Sequence, residues 1–223
     1  MNSRIVIIGG MGPQASLELH QRIVSEAAKA GATDNEDYPE ILHVSIPIPD
    51  FISSGDSSAG LKRLSRTLDT LHFRKDDRVV LACNTAHLLL PKIESKYHLR
   101  FISLIQATVE AVRKSGAKKV GLLASPTTVK SGLYEKPLLK VGCEVLLPSD
   151  SDSEVLERAI RYVIAGGSAK DMRKLVEPII SRMIGDGSER VILGCTELSV
   201  IFSGTHSYLI VDPLKVVCDQ LLI

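Results

Sequence analysis

Two stretches of the chain repeat one pattern. Val79-Val80-Leu81-Ala82-Cys83-Asn84-Thr85 and Val191-Ile192-Leu193-Gly194-Cys195-Thr196-Glu197 each run aliphatic and β-branched, then stop at a small residue, a cysteine and polar side chains. An apolar run without polar alternation has both faces covered, the setting of a buried parallel strand in an α/β sheet. Open α/β sheets collect ligands beyond the carboxyl ends of such strands, where both cysteines fall. Two thiols facing one cleft form a pair able to move a proton from one face of a carbon to the other, one group taking it as the other gives.

The rest of the chain fits that frame. Apolar runs at 4–8, 41–46, 78–82, 101–104, 119–124, 144–147, 189–194 and 208–211 predict strands, and they alternate with amphipathic stretches at 14–30, 59–71, 107–114, 152–165, 169–185 and 214–222. The fold class is therefore α/β, with helices covering both faces of mostly parallel sheets. Ile5-Val6-Ile7-Ile8-Gly9-Gly10 stands before Cys83 much as Val120-Gly121-Leu122-Leu123-Ala124-Ser125 stands before Cys195, which predicts two similar αβα lobes. Residues 1–100 with 206–223 are expected to form the first lobe, carrying Cys83, and 101–205 the second, carrying Cys195. The polar segment 53–60 reads either as a flap over the site or as an ordinary solvated loop.

Composition narrows the partners. Lys plus Arg number 27 against 26 Asp plus Glu, and no basic block stands out, so neither nucleic acid nor an anionic membrane is an expected partner. A small molecule is. The first residues reach Ile5-Val6-Ile7-Ile8-Gly9 too soon for a secretory apolar stretch, and no run has membrane length, so a cytoplasmic location is expected. Four cysteines without Cys-x-x-Cys spacing favour free thiols over disulfides and give no zinc pattern.

Gly9-Gly10-Met11-Gly12-Pro13 follows the first strand and opens the first helix, with Pro13 at a position where its missing N–H is harmless. Amides exposed there attract an anion. Ala15 stands where a dinucleotide fingerprint needs glycine, so a carboxylate is the expected guest, and a tight turn without ligand is the alternative. A lone cysteine usually packs as a small hydrophobe. The matched context of Cys83 and Cys195 favours chemistry instead, with helix-start amides set to lower a thiol pKa from about 8.5. Cys143 and Cys218 lack that context and are read as core. Asn84, Thr85 and Thr196 are short side chains that either orient an α-carboxylate or ammonium, or cap helices. Glu197 either accepts a substrate ammonium or caps the following helix. His87 is read as satisfying a local hydrogen bond.

Together, Gly9-Gly10-Met11-Gly12-Pro13, Ala82-Cys83-Asn84-Thr85-Ala86-His87 and Gly194-Cys195-Thr196-Glu197-Leu198 resemble the cofactor-independent aspartate/glutamate racemase family, over nearly the whole chain. The resemblance implies two lobes with the active site in the cleft between them, and a homodimer. It implies Cys83 and Cys195 as the two bases, with Asn84, Thr85, Thr127 and Thr196 positioning an amino-acid or carboxylate substrate and Met11 lining the pocket; Glu197, from its place beside Cys195, joins them as a candidate substrate-binding residue. No pyridoxal phosphate or other cofactor and no metal are expected. Related enzymes of maleate-isomerase or hydantoin-racemase type, and a non-catalytic carboxylate-binding protein, are the alternatives. One departure concerns the substrate's distal carboxylate. Phe51 follows Ile48-Pro49-Asp50 where the family usually has an arginine, and the 164–166 stretch lacks its lysine, leaving Lys130 as another source of charge and an apolar or neutral side chain as another substrate.

Overall fold

The computed structural model describes residues 3–49, 58–205 and 207–222. In chain order the elements are β1 (Ile5–Gly9), α1 (Pro13–Lys29), β2 (Ile41–Ser45), α2 (Ser58–Leu68), β3 (Arg78–Leu81), α3 (Leu90–Tyr97), β4 (Phe101–Ile102), α4 (Leu104–Ser115), β5 (Lys119–Leu123), α5 (Pro126–Ser131), α6 (Glu135–Lys140), β6 (Glu144–Leu146), α7 (Asp150–Ile164), α8 (Ala169–Gly185), β7 (Arg190–Leu193), α9 (Thr196–Ile201), β8 (Ile210–Val211) and α10 (Pro213–Leu221). Short 3-10 turns occupy Asn35–Asp37 and Thr85–Leu89.

The strands form two all-parallel sheets of four, ordered β2-β1-β3-β4 and β6-β5-β7-β8. One order is repeated in both halves, so β3 and β7 hold equivalent places. Helices cover both faces of each sheet, and side chains alternate between them with the period of two that extended backbone imposes. Val6 and Ile8 join Val79, Leu81 and Cys83 in a cluster under α2 and α3. Ile5, Ile7, Val80 and Ala82 pack the other way, against α1, α4 and α10. In the second sheet Val191, Leu193 and Cys195 meet α7 and α8, while Ile192 faces α4 and α6. Each cysteine therefore continues the inward rhythm of its strand, and burying one such aliphatic side chain is worth roughly 1.5–3 kcal/mol.

Three sequence expectations are corrected. β4 pairs with β3, so Phe101 and Ile102 belong to the first sheet. β8 pairs with β7, so the run 208–211 returns to the second sheet and not to the first; only α10 goes back to the first lobe's core. A two-residue edge strand carries too little pattern for its partner to be read from sequence. Ser58, Ala59 and Gly60, read also as part of a loop, open α2; 50–57 lie outside the described residues.

The two lobes share a helix. Leu104 and Ala107 of α4 pack into the first core, whereas Ile105, Val109 and Val112 pack into the second. Ser103 caps α4, its Oγ accepting the Gln106 N–H at 3.3 Å. Farther along the seam Arg22 of α1 donates to Asp212 at 2.5 Å, to Glu18 at 2.7 Å and to the Ser199 carbonyl at 2.8 Å. Asp212 in turn caps α10 through the Leu214 N–H. No helix among the described residues is long and apolar enough to cross a membrane.

Candidate active site

Cys83 lies two residues beyond β3, and Cys195 two residues beyond β7. After β3 the chain folds into the 3-10 turn Thr85–Leu89, whose Thr85 and Ala86 amides donate toward the Cys83 sulfur. After β7, Cys195 is the N-cap of α9 with extended φ/ψ of −129° and 135°, and the Glu197 amide donates toward its sulfur. Both cysteines are 7% exposed, and both are free thiols, as are Cys143 and Cys218.

Glu197 ties the two together. It is 2% exposed; its Oε2 accepts the Cys195 thiol at 2.9 Å and the Thr196 hydroxyl at 3.4 Å. Its charge raises the pKa of Cys83 as well as of Cys195, and Cys83 in turn acts on Cys195, so the thiols share one electrostatic environment. Its other oxygen, Oε1, is buried without a hydrogen-bond partner. That oxygen lies beside Gly12, where a Cβ would stand only 1.6 Å away. The glycine turn of the first lobe thus makes room for a carboxyl of the second.

Asn84 supplies the complementary group. Tyr134 of the second lobe, 0% exposed, donates its hydroxyl to Asn84 Oδ1 at 2.7 Å, which fixes the amide and leaves Nδ2 a buried donor with no partner. Thr85 Oγ1 pairs with Ser125 Oγ at 3.1 Å and Thr128 Oγ1 at 2.8 Å, closing a triangle of buried hydroxyls across the lobes. Thr127, in α5 beside Thr128, is half-buried, and Met11 packs half-buried against the cluster that contains Cys83. Lys130 is exposed. Among the described residues no group of three or more His, Cys, Asp or Glu is arranged to hold a metal ion.

Residues 8–221 match the family described as Asp/Glu/Hydantoin racemase. This chain belongs to that racemase family. Among its relatives is the broad specificity amino-acid racemase RacX of Bacillus subtilis, 24% identical over 91% of this chain and 89% of RacX. The Picrophilus torridus aspartate racemase is 27% identical in sequence and superposes with a TM-score of 0.84, covering 99% of this chain and 93% of that one. An aspartate racemase homologue from Pyrococcus horikoshii is 29% identical, with a TM-score of 0.75 over 100% of this chain and 98% of that one. The two-lobe α/β architecture is the fold of these racemases.

Electrostatics in this racemase-family protein depart from the sequence expectation. Helix-start amides do favour each thiolate, yet burial wins. Desolvation, followed by the Glu197 charge, pushes the Cys83 thiol up to about 12. Desolvation and Glu197 likewise hold Cys195 well above its ordinary value. Glu197 is itself raised by burial, against the Cys195 S–H, its own amide and the Thr196 hydroxyl. His87 matches its sequence reading as a local hydrogen-bonding residue. Its Nε2 accepts the Leu104 N–H at 3.0 Å, so Nδ1 carries the proton and donates to the Cys83 carbonyl at 2.8 Å.

Sequence reasoning passed over Ser125, Thr128 and Tyr134. The first two had a signal, since Ser-Pro-Thr-Thr after β5 is a helix-start pattern at the second lobe's ligand-collecting edge. Tyr134 had none, because only the fold brings it beside Asn84. A cavity of about 740 Å³ lies elsewhere, between α1, α10 and the segment before β8, and none of the predicted site residues lines it.

Proposed function

We propose that the protein is an amino-acid racemase in which Cys83 and Cys195 are the two bases. The observation that carries the reading is the single carboxyl, Glu197, acting on both thiols, with an unpartnered acceptor on Glu197 and an unpartnered donor on Asn84 in the same buried setting. These match the two poles of an α-amino acid. Its ammonium goes to Glu197 Oε1 and its carboxylate to Asn84 Nδ2, with Met11, Thr85, Thr127 and Thr196 shaping the surroundings.

Turnover needs one thiolate and one thiol. Glu197, already accepting the Cys195 S–H, is the group that draws that proton, and the incoming ammonium offsets the negative charge that burial opposes. The Cys195 thiolate takes the α-hydrogen, and the electron pair left on carbon delocalises into the carboxylate held by Asn84. Cys83 then delivers its proton to the opposite face. The product leaves with Cys83 as thiolate, Cys195 as thiol and Glu197 protonated; Cys83 then regains a proton and Glu197 gives one up, through water that enters as the product leaves, which restores the starting state. The relatives named racemases support the reaction type. A homodimer and a cytoplasmic location belong to the same proposal, the first open to light scattering.

The test is α-hydrogen exchange in D2O across D- and L-amino acids. Cys83→Ser and Cys195→Ser should each lower racemisation by about 100-fold or more, since each removes a base from a pair that works as a unit. Full racemisation in both single variants sinks the two-thiol reading. Ligand binding without any exchange would mark a carboxylate-binding protein instead.

A further inference from the structure

Resting on the reading just given, we infer that this site takes α-amino acids with uncharged side chains in preference to aspartate and glutamate. Glu197 carries the buried carboxyl of the site, and among the described residues it makes no ion pair with lysine or arginine. Among the described residues, the charges that act on Cys83 are those of Glu197, and on Cys195 those of Glu197 and Cys83, with no lysine or arginine acting on either thiol or on Glu197. Arg22, the nearest arginine along α1, is engaged by Glu18 and Asp212. The segment 50–57 contains no lysine or arginine in its sequence either.

A zwitterion with a neutral side chain balances this site. Its ammonium compensates Glu197, and its carboxylate meets the neutral donor Asn84 Nδ2. A second carboxylate adds an anion that nothing buried there neutralises, beside a Glu197–Cys195 pair that carries one negative charge whichever of the two holds the proton. The start of α1, just beyond Gly12, adds an acceptor. Gln14 donates Nε2 to the Ile164 carbonyl at the end of α7 at 3.1 Å, and its Oε1 is left buried without a partner. Acceptors and a helix carboxyl end disfavour anions and suit side chains that are apolar or bear a donor.

The experiment compares kcat/KM for alanine, serine, methionine and glutamine with that for aspartate and glutamate, read by solvent-deuterium exchange and chiral chromatography at one pH. The inference expects the acidic pair to be slower by on the order of 100-fold. Aspartate or glutamate turned over as well as the best neutral substrate would overturn it while leaving the two-thiol racemase intact. Exchange with none of the panel would overturn the racemase reading, and the inference with it. Glu197→Gln adds a second readout, competitive binding by calorimetry, which needs no turnover. Removing the resident anion should raise the affinity for aspartate relative to alanine by about 10-fold or more, and an unchanged ratio defeats the charge argument.

Discussion

His87 shows how one neutral imidazole can hold a reactive loop without touching a substrate. Both ring nitrogens are engaged, one accepting from the first residue of the shared helix α4 and the other donating to the Cys83 carbonyl. Protonation would destroy the acceptor, and burial holds the pKa down to about 4. A folded-state pKa below the unfolded value of about 6.5 means stability is full above pH 6.5 and is lost as pH falls toward 4, by about 3 kcal/mol at most. Urea unfolding at pH 7 and pH 4.5 should therefore show a steeper acid loss in the wild type than in His87→Gln. Tyr134 has a different job, since its hydroxyl decides which end of the Asn84 amide is presented. Tyr134→Phe should cost about 1–2 kcal/mol of stability, through the orphaned Asn84 oxygen, and raise KM more than it lowers kcat. Kinetics on the folded variant checks the split, and equal damage to both parameters would mean that Tyr134 is only structural.

At the scale of elements, the turn between β1 and α1 is where the first lobe yields space to the second. Gly12 has φ 133°, a region that side chains avoid, and a Cβ there would collide with the Glu197 carboxyl. Gly12→Ala should destabilise by about 1–3 kcal/mol and displace Glu197, so loss of turnover should exceed what the fall in melting temperature explains. The long elements were legible in the sequence because their periodicity is strong: β1, β3, β5, β7, α1, α7 and α8 fall within a residue or two of expectation. The short helices α3, α5, α6 and α9 were not, since one or two turns leave too few apolar repeats to count. The cysteine positions were readable from strand ends, but the direction of their pKa shift was not. That direction depends on how deeply Glu197 and the opposite lobe enclose them, a tertiary fact.

For the molecule as a whole, the repeated strand order explains why one motif occurs twice, and α4 and α10 explain why the halves stay together. Arg22 is the polar counterpart of that packing. Arg22→Ala removes the cation from Asp212, which keeps the Ser199 hydroxyl and the Leu214 amide, and takes the guanidinium from the Ser199 carbonyl; it should cost about 3 kcal/mol, read as a lower urea midpoint. Thr85 meets Ser125 and Thr128 across the same seam through hydroxyls that can exchange donor and acceptor roles by rotation alone.

The repeat is nevertheless imperfect where it matters, because Cys195 has a carboxylate within hydrogen-bonding distance besides its backbone amide, whereas Cys83 is met by two backbone amides. Mirror-image amino acids have equal free energy in water, so the proposed reaction must run with equal kcat/KM in its two directions. The lopsided surroundings of the sulfurs can therefore surface only as kcat and KM that differ between enantiomers in step, the tighter-bound hand being the slower one to leave as its opposite.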